Sequence, residues 1–157
     1  MLKQIIHAFY GCEQMLKQTV LAFFGSIFPV ILFNIDRKKI WWAGICGVVG
    51  WVVYSMVFYK TQSPGIPSFA GAFAVGLYSE FMARKLKSPA FVLLIPGIFP
   101  LVPGITAYNS LRNIVENNLT EALNKGIQTI AVGGYIVFGI MLSSAIFKFV
   151  SKVRAKN

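Results

Sequence analysis

Residues 95–110 read Ile95-Pro96-Gly97-Ile98-Phe99-Pro100-Leu101-Val102-Pro103-Gly104-Ile105-Thr106-Ala107-Tyr108-Asn109-Ser110. Three prolines and two glycines interrupt an apolar stretch long enough to cross a bilayer. In water this run would be a loop. In hydrocarbon, each unpaired backbone N–H or C=O costs several kcal/mol, so a lipid-exposed loop is forbidden there. A broken helix survives at that depth only when other protein covers it or when it lines a polar cavity. The stretch therefore points to an all-α membrane protein with a passage built around one interrupted helix.

The rest of the composition agrees. The 157 residues are 56% hydrophobic and 15% aromatic, with a formal charge of +10. The charges fall in short runs between long uncharged stretches, the pattern of a polytopic membrane protein. The basic excess then belongs to loops at lipid headgroups rather than to nucleic acid, because no basic face carries interleaved aromatics.

Five apolar segments are expected to span: 18–35, 40–59, 66–83, 89–108 and 126–149. Each is about 17–24 residues, enough for a ~30 Å hydrocarbon core. Residues 1–157 then form one integral membrane domain. Residues 1–17 alternate apolar and polar side chains, as an interfacial amphipathic helix or an extension of the first span does. They lack a signal-peptide pattern. Residues 109–125 read as an amphipathic helix on the outer face, ended by Gly126.

Loop charges set the orientation. With five crossings, one side receives Arg37, Lys38, Lys39, Arg84, Lys85, Lys87, Lys148, Lys152, Arg154 and Lys156. The other receives Lys3, Lys17, Lys60, Arg112 and Lys125. The positive-inside rule places the first set in the cytoplasm, with the N-terminus outside and the C-terminus inside. A re-entrant fourth segment would instead send the basic tail outside. Small-residue stripes (Gly44, Gly47 and Gly50; Ala70, Ala72, Ala74 and Gly76; Gly133, Gly134 and Gly139) predict close helix packing.

Within the fourth segment, Pro96, Pro100 and Pro103 share one helical face. Each removes an N–H, so the carbonyls of Val92, Pro96 and Phe99 are expected to lose their usual donors. Gly97 and Gly104 permit a bend near the midplane, where transporters place substrate. Freed carbonyls suit an ammonium group, and a helix restarting near Gly104 would aim N–H groups at a carboxylate. The candidate substrate contacts are Pro96, Gly97, Pro100, Pro103, Gly104, Thr106 and Tyr108. The competing reading is a structural kink.

Two readings stand for Glu80: an interfacial ion pair with Arg84 four residues on, or a proton-coupling carboxylate. Asn34 would cap the first span. Cys12 and Cys46 are expected on opposite levels of the membrane, so no disulfide is expected. His7 has no ligand cluster beside it, and no metal site or cofactor is expected. No nucleotide motif occurs. No catalytic constellation argues for an enzyme.

The segments Pro29-Val30-Ile31-Leu32-Phe33-Asn34, Tyr78-Ser79-Glu80-Phe81-Met82-Ala83-Arg84-Lys85-Leu86-Lys87-Ser88-Pro89 and Ile95–Gly104, with Tyr108 following, resemble the small YjjB-type subunit of the threonine/serine exporter (ThrE-like) family. The resemblance implies a secondary exporter in a bacterial cell membrane, driven by the proton gradient. Its substrate would be threonine and serine or, in some members, succinate. It also implies a longer YjjP-type membrane partner, and the small number of spans adds a homo-oligomer as a further expectation. The absence of a cation in the middle of any span favours a small neutral amino acid over a dicarboxylate. A membrane scaffold whose partner does the transport is the alternative.

Overall fold

The computed structural model describes residues 2–32 and 35–154, with side chains for 15–32, 35–36 and 38–153. Asn34 and the side chains of His7 and Cys12 lie outside the described residues. Six α-helices follow in order: α1 (Leu2–Leu32), α2 (Ile40–Thr61), α3 (Gly65–Lys85), α4 (Phe91–Ile98), α5 (Gly104–Val115) and α6 (Leu119–Arg154). Short 3₁₀ turns, Arg37–Lys39 and Phe99–Leu101, lead into α2 and out of α4. No strand occurs among the described residues.

Met15–Leu32 of α1, all of α2 and Leu119–Val153 of α6 are each long and apolar enough to cross a membrane. The α4–α5 pair meets the same test jointly, bent by 55°. Helix α3 has the length, but Gly65, Pro67, Ser68, Gly71, Gly76, Ser79 and Glu80 dilute its apolarity. Its position accounts for this. It packs on α2, α4 and α6, and those same small residues, Glu80 apart, are buried against them. A helix wrapped by protein needs less lipid-compatible surface than one at the rim.

Small residues fix the approach of neighbouring helices. A Cβ on Gly44 would strike the Phe23 ring, and one on Gly47 would strike Ser26 Oγ, so this part of α2 lies flush on α1. On Gly76 it would strike Ser143, and on Gly139 it would come within 2.6 Å of the Phe69 carbonyl oxygen, so α3 and α6 are equally close. Gly133 and Gly134, expected to act in the same way, have no neighbour within 4 Å. The α6 stripe therefore works through Gly139 alone.

The outer amphipathic element differs from expectation. No single helix covers 109–125. Helix α5 runs to Val115, the chain reverses, and α6 starts at Leu119. Asn117 adopts φ 61°, Asn117 N–H donates to the Ile114 carbonyl and Asn118 N–H to the Asn113 carbonyl at 2.8 Å. This is the paired closure of a Schellman motif, for which Asn is the best residue after Gly. Gly126, expected to end a helix, lies inside α6.

The core has two centres. One gathers Cys46, Ala72, Val75, Leu101, Val132 and Ile136; the other gathers Val30, Ala43, Met82 and Leu93, with Tyr78 against both. Ile35, Ile40 and Leu86 close the second centre, and the Arg84 guanidinium lies 4.5 Å from the centroid of the Phe147 ring. The basic runs 38–39, 84–87 and 148–152 thus collect at one end of the bundle.

Candidate functional site

Helix α4 breaks where its prolines dictate. Pro96 sits inside the last turn, and the chain then tightens into the 3₁₀ turn Phe99–Leu101. Val102 is extended at φ −63°, ψ 130°, as a residue before proline must be. Pro103 is the N-cap of α5, and no side chain caps that end. Gly104 N–H donates to the Val102 carbonyl at 2.8 Å and Ala107 N–H to that of Pro103 at 3.0 Å. The N–H groups of Ile105 and Thr106, in the first turn, depend on what lies beyond the helix end.

Two of the three expected free carbonyls are already paired. Phe99 N–H donates to the Pro96 carbonyl, and Val102 N–H to the Phe99 carbonyl at 3.3 Å. The 3₁₀ turn shifts each donor one residue closer, which replaces what the prolines remove. The break therefore does not present a row of bare acceptors, and the expectation built on them is corrected.

The sequence-named residues divide. Pro96 and Gly97 are buried: a Cβ on Gly97 would lie 2.6 Å from Cys46 Sγ and 2.9 Å from Val75 Cγ1. Leu101 wedges where α2 and α3 cross, 3.1 Å from a Cβ placed on Gly71. Pro100 is half-buried and faces a cavity. Pro103 and Gly104 form the start of α5, with Gly104 exposed. Thr106 is half-buried and Tyr108 exposed, on a helix that packs against α6. One face of the break is thus keyed into the core and the other is open.

On the open face lies a cavity of about 280 Å³ between α1, α2 and the 3₁₀ turn, lined by Gln18, Leu21, Ala22, Gly25, Trp51, Phe99 and Pro100. Trp51 stacks on Tyr54 with ring centroids 5.3 Å apart. Its Nε1–H is closed off from solvent and has no acceptor. Leaving such a donor unpaired costs about 1–3 kcal/mol. The Gln18 amide adds a donor and an acceptor. Sequence reading missed both residues. The signal available was a tryptophan in mid-span, away from the interfacial belt where this residue normally sits.

Glu80 is not paired with Arg84. Ser144 Oγ donates to its carboxylate at 3.5 Å, a long bond from α6, while Arg84 turns to Phe147. Glu80 borders a shallow cleft of about 350 Å³ with Ala83, Arg84, Lys87, Ser88, Pro89 and Ala90.

The sequence pattern that defines the family described as Threonine/Serine exporter, ThrE, matches residues 18–146. The chain belongs to this family of membrane transport proteins. A Mycobacterium tuberculosis protein named "Probable threonine/serine exporter" is 25% identical over 84 residues, covering 50% of this chain and 16% of that relative. The chain thus aligns with about one sixth of a much longer curated relative. No solved structure matches the chain.

Proposed function

We propose that this chain is the membrane subunit of a secondary exporter for threonine- and serine-type amino acids, with the substrate path running past the α4–α5 break. The observation that carries the reading is the break itself: one side is locked to the core through Gly97 and Leu101, the other faces a cavity with an unpaired indole donor. Transporters bind their cargo beside irregular backbone of this kind inside a helical membrane bundle, and that supports the reading. The family's name supports the substrate class. A short bundle also leaves room for a complementary subunit, which the family resemblance gives as a YjjP-type membrane partner, or for further copies of this chain. The family resemblance supports a bacterial cell-membrane setting, and the basic residues gathered at one end support an N-terminus outside and a C-terminus in the cytoplasm.

The test is efflux of labelled threonine, serine and succinate from loaded cells that express the chain with its partner. Threonine or serine efflux is expected. Succinate efflux with neither amino acid moving would refute the substrate. Pro103→Ala with Gly104→Ala should stiffen the break, raising helix propensity by a few kcal/mol, and abolish efflux while the protein still assembles. Full efflux from an assembled double variant would reduce the break to a kink.

A further inference from the structure

The cleft at the basic end of the bundle carries features that the midplane cavity does not use. It brings both signs of charge together. Glu80 reaches it from α3, half-buried and touched only by Ser144 Oγ, with neither Arg84 nor Lys87 in ion-pair contact among the described residues. Arg84 is held aside by Phe147. Lys87 also lines the cleft and is exposed. Its neighbour Ser88 has an Oγ closed off from solvent with no hydrogen-bond partner. Ala90, the N-cap of α4, completes the wall without a side-chain cap. Val92, Leu93 and Leu94 N–H donate back to Pro89 and Ala90, while those of Ala90 and Phe91 have no backbone acceptor.

Lys87 occupies a position that chemistry would assign to glycine. Its φ is 48°, and its N–H and that of Ser88 close a Schellman motif on the carbonyls of Arg84 and Ala83. A lysine in that backbone conformation is disfavoured relative to Gly.

We infer that this cleft is a loading site for a zwitterionic α-amino acid, its carboxylate taken by Lys87 and the N-terminus of α4, with the Ser88 hydroxyl turning outward to join them, its ammonium by Glu80. The cleft volume falls within the ~300–1,000 Å³ of small-molecule sites. A carboxylate there meets an ammonium cation, a hydroxyl donor that has no other acceptor, and the positive end of a helix. The ammonium group meets a carboxylate with which no cation among the described residues forms an ion pair. A dicarboxylate would set its second charge against Glu80. The position also fits the direction of export. Helix α4 runs from Ala90 at the cleft to Phe99 at the midplane cavity, about 14 Å at 1.5 Å per residue, so one short helix links the two.

The inference rests on the exporter reading, and one experiment separates their failures. Inverted membrane vesicles from cells expressing the chain with its partner turn the cleft toward the medium, and uptake of labelled threonine is followed. Serine should compete, whereas threonine amide, without the carboxylate, and N-acetylthreonine, without the ammonium, should not. Glu80→Gln keeps an acceptor for Ser144 and removes the charge; KM for threonine should rise at least about tenfold. Lys87→Gly should raise KM by a similar factor although it eases the backbone, so misfolding cannot explain the loss. Vesicles that move succinate and no amino acid overturn the exporter reading together with the cleft. Threonine uptake with unchanged KM in both variants, or competition by the amide equal to that of serine, overturns the cleft alone.

Discussion

Gly97→Ala tests whether the broken helix is held by contact at one point. The added Cβ would sit 2.6 Å from Cys46 Sγ, 2.9 Å from Val75 Cγ1 and 3.2 Å from Cys46 Cβ. Cys46 and Val75 are both fully buried, and a β-branched side chain has little rotamer freedom, so the wall yields poorly. Overpacking costs about 1–3 kcal/mol, and contacts this close on a stiff wall take the upper half, about 2–3 kcal/mol, against roughly 1 kcal/mol gained from replacing glycine inside a helix. The single variant should therefore lose about 1–2 kcal/mol. Cys46→Ala alone removes one buried sulfur and should cost about 1 kcal/mol. In that background the sulfur contact is gone and the remaining strain against Val75 Cγ1 is about offset by the helix gain, so Gly97→Ala should become nearly neutral. The coupling across the cycle is then about 1–2 kcal/mol in favour of the double variant. Unfolding in detergent, followed by tryptophan fluorescence, measures all four proteins. Additivity within about 0.5 kcal/mol, or stabilisation by Gly97→Ala alone, would refute the contact as the lock on the break.

Two further outcomes follow from the same structure. Ser26 is fully buried against Gly47 and its Oγ has no partner, so Ser26→Ala should stabilise the protein by about 1 kcal/mol in the same unfolding assay, and a loss of stability would mean that the hydroxyl has an acceptor. For orientation, a cysteine at Asn118 should react with an impermeant thiol reagent from outside and one at Ser151 should not; reaction of both from one side would mean that the α4–α5 pair turns back instead of crossing.

Most of the helical layout was legible because it depends on local chemistry. Long uncharged runs bounded by basic loops mark α1, α2 and α6, and prolines at 96, 100 and 103 mark the break whatever surrounds it. The site was less legible. The i to i+4 spacing of Glu80 and Arg84 invites an ion pair, yet Ser144 and Phe147, more than sixty residues away, take the two side chains instead. The carbonyls of Pro96 and Phe99 appear free when counted on an α-helical ladder, and a 3₁₀ turn re-pairs them. The cavity at Trp51 arises from three separate segments, so no single stretch of sequence announces it. Gly126 reads as a stop signal, but Asn117 supplies the turn nine residues earlier.

Helix α6 also acts as a depth gauge. Lys125 and Lys148 bound an uncharged run, 126–147, about 33 Å long at 1.5 Å per residue. That nearly equals a ~30 Å hydrocarbon slab, so the helix fits almost upright, with its surplus turns standing beyond the lipid at both ends. Helix α3 is pinned to it by Gly76 against Ser143 and by Arg84 over Phe147. Ser144, which bonds Glu80, lies one turn inside Lys148, so this gauge would set Glu80 at the edge of the hydrocarbon and the Arg84 and Lys87 side of the cleft at the headgroups. The height of that opening is thus governed by a helix that contributes no residue to its lining, and a change of membrane thickness would have to tilt α6 before it could submerge the cleft.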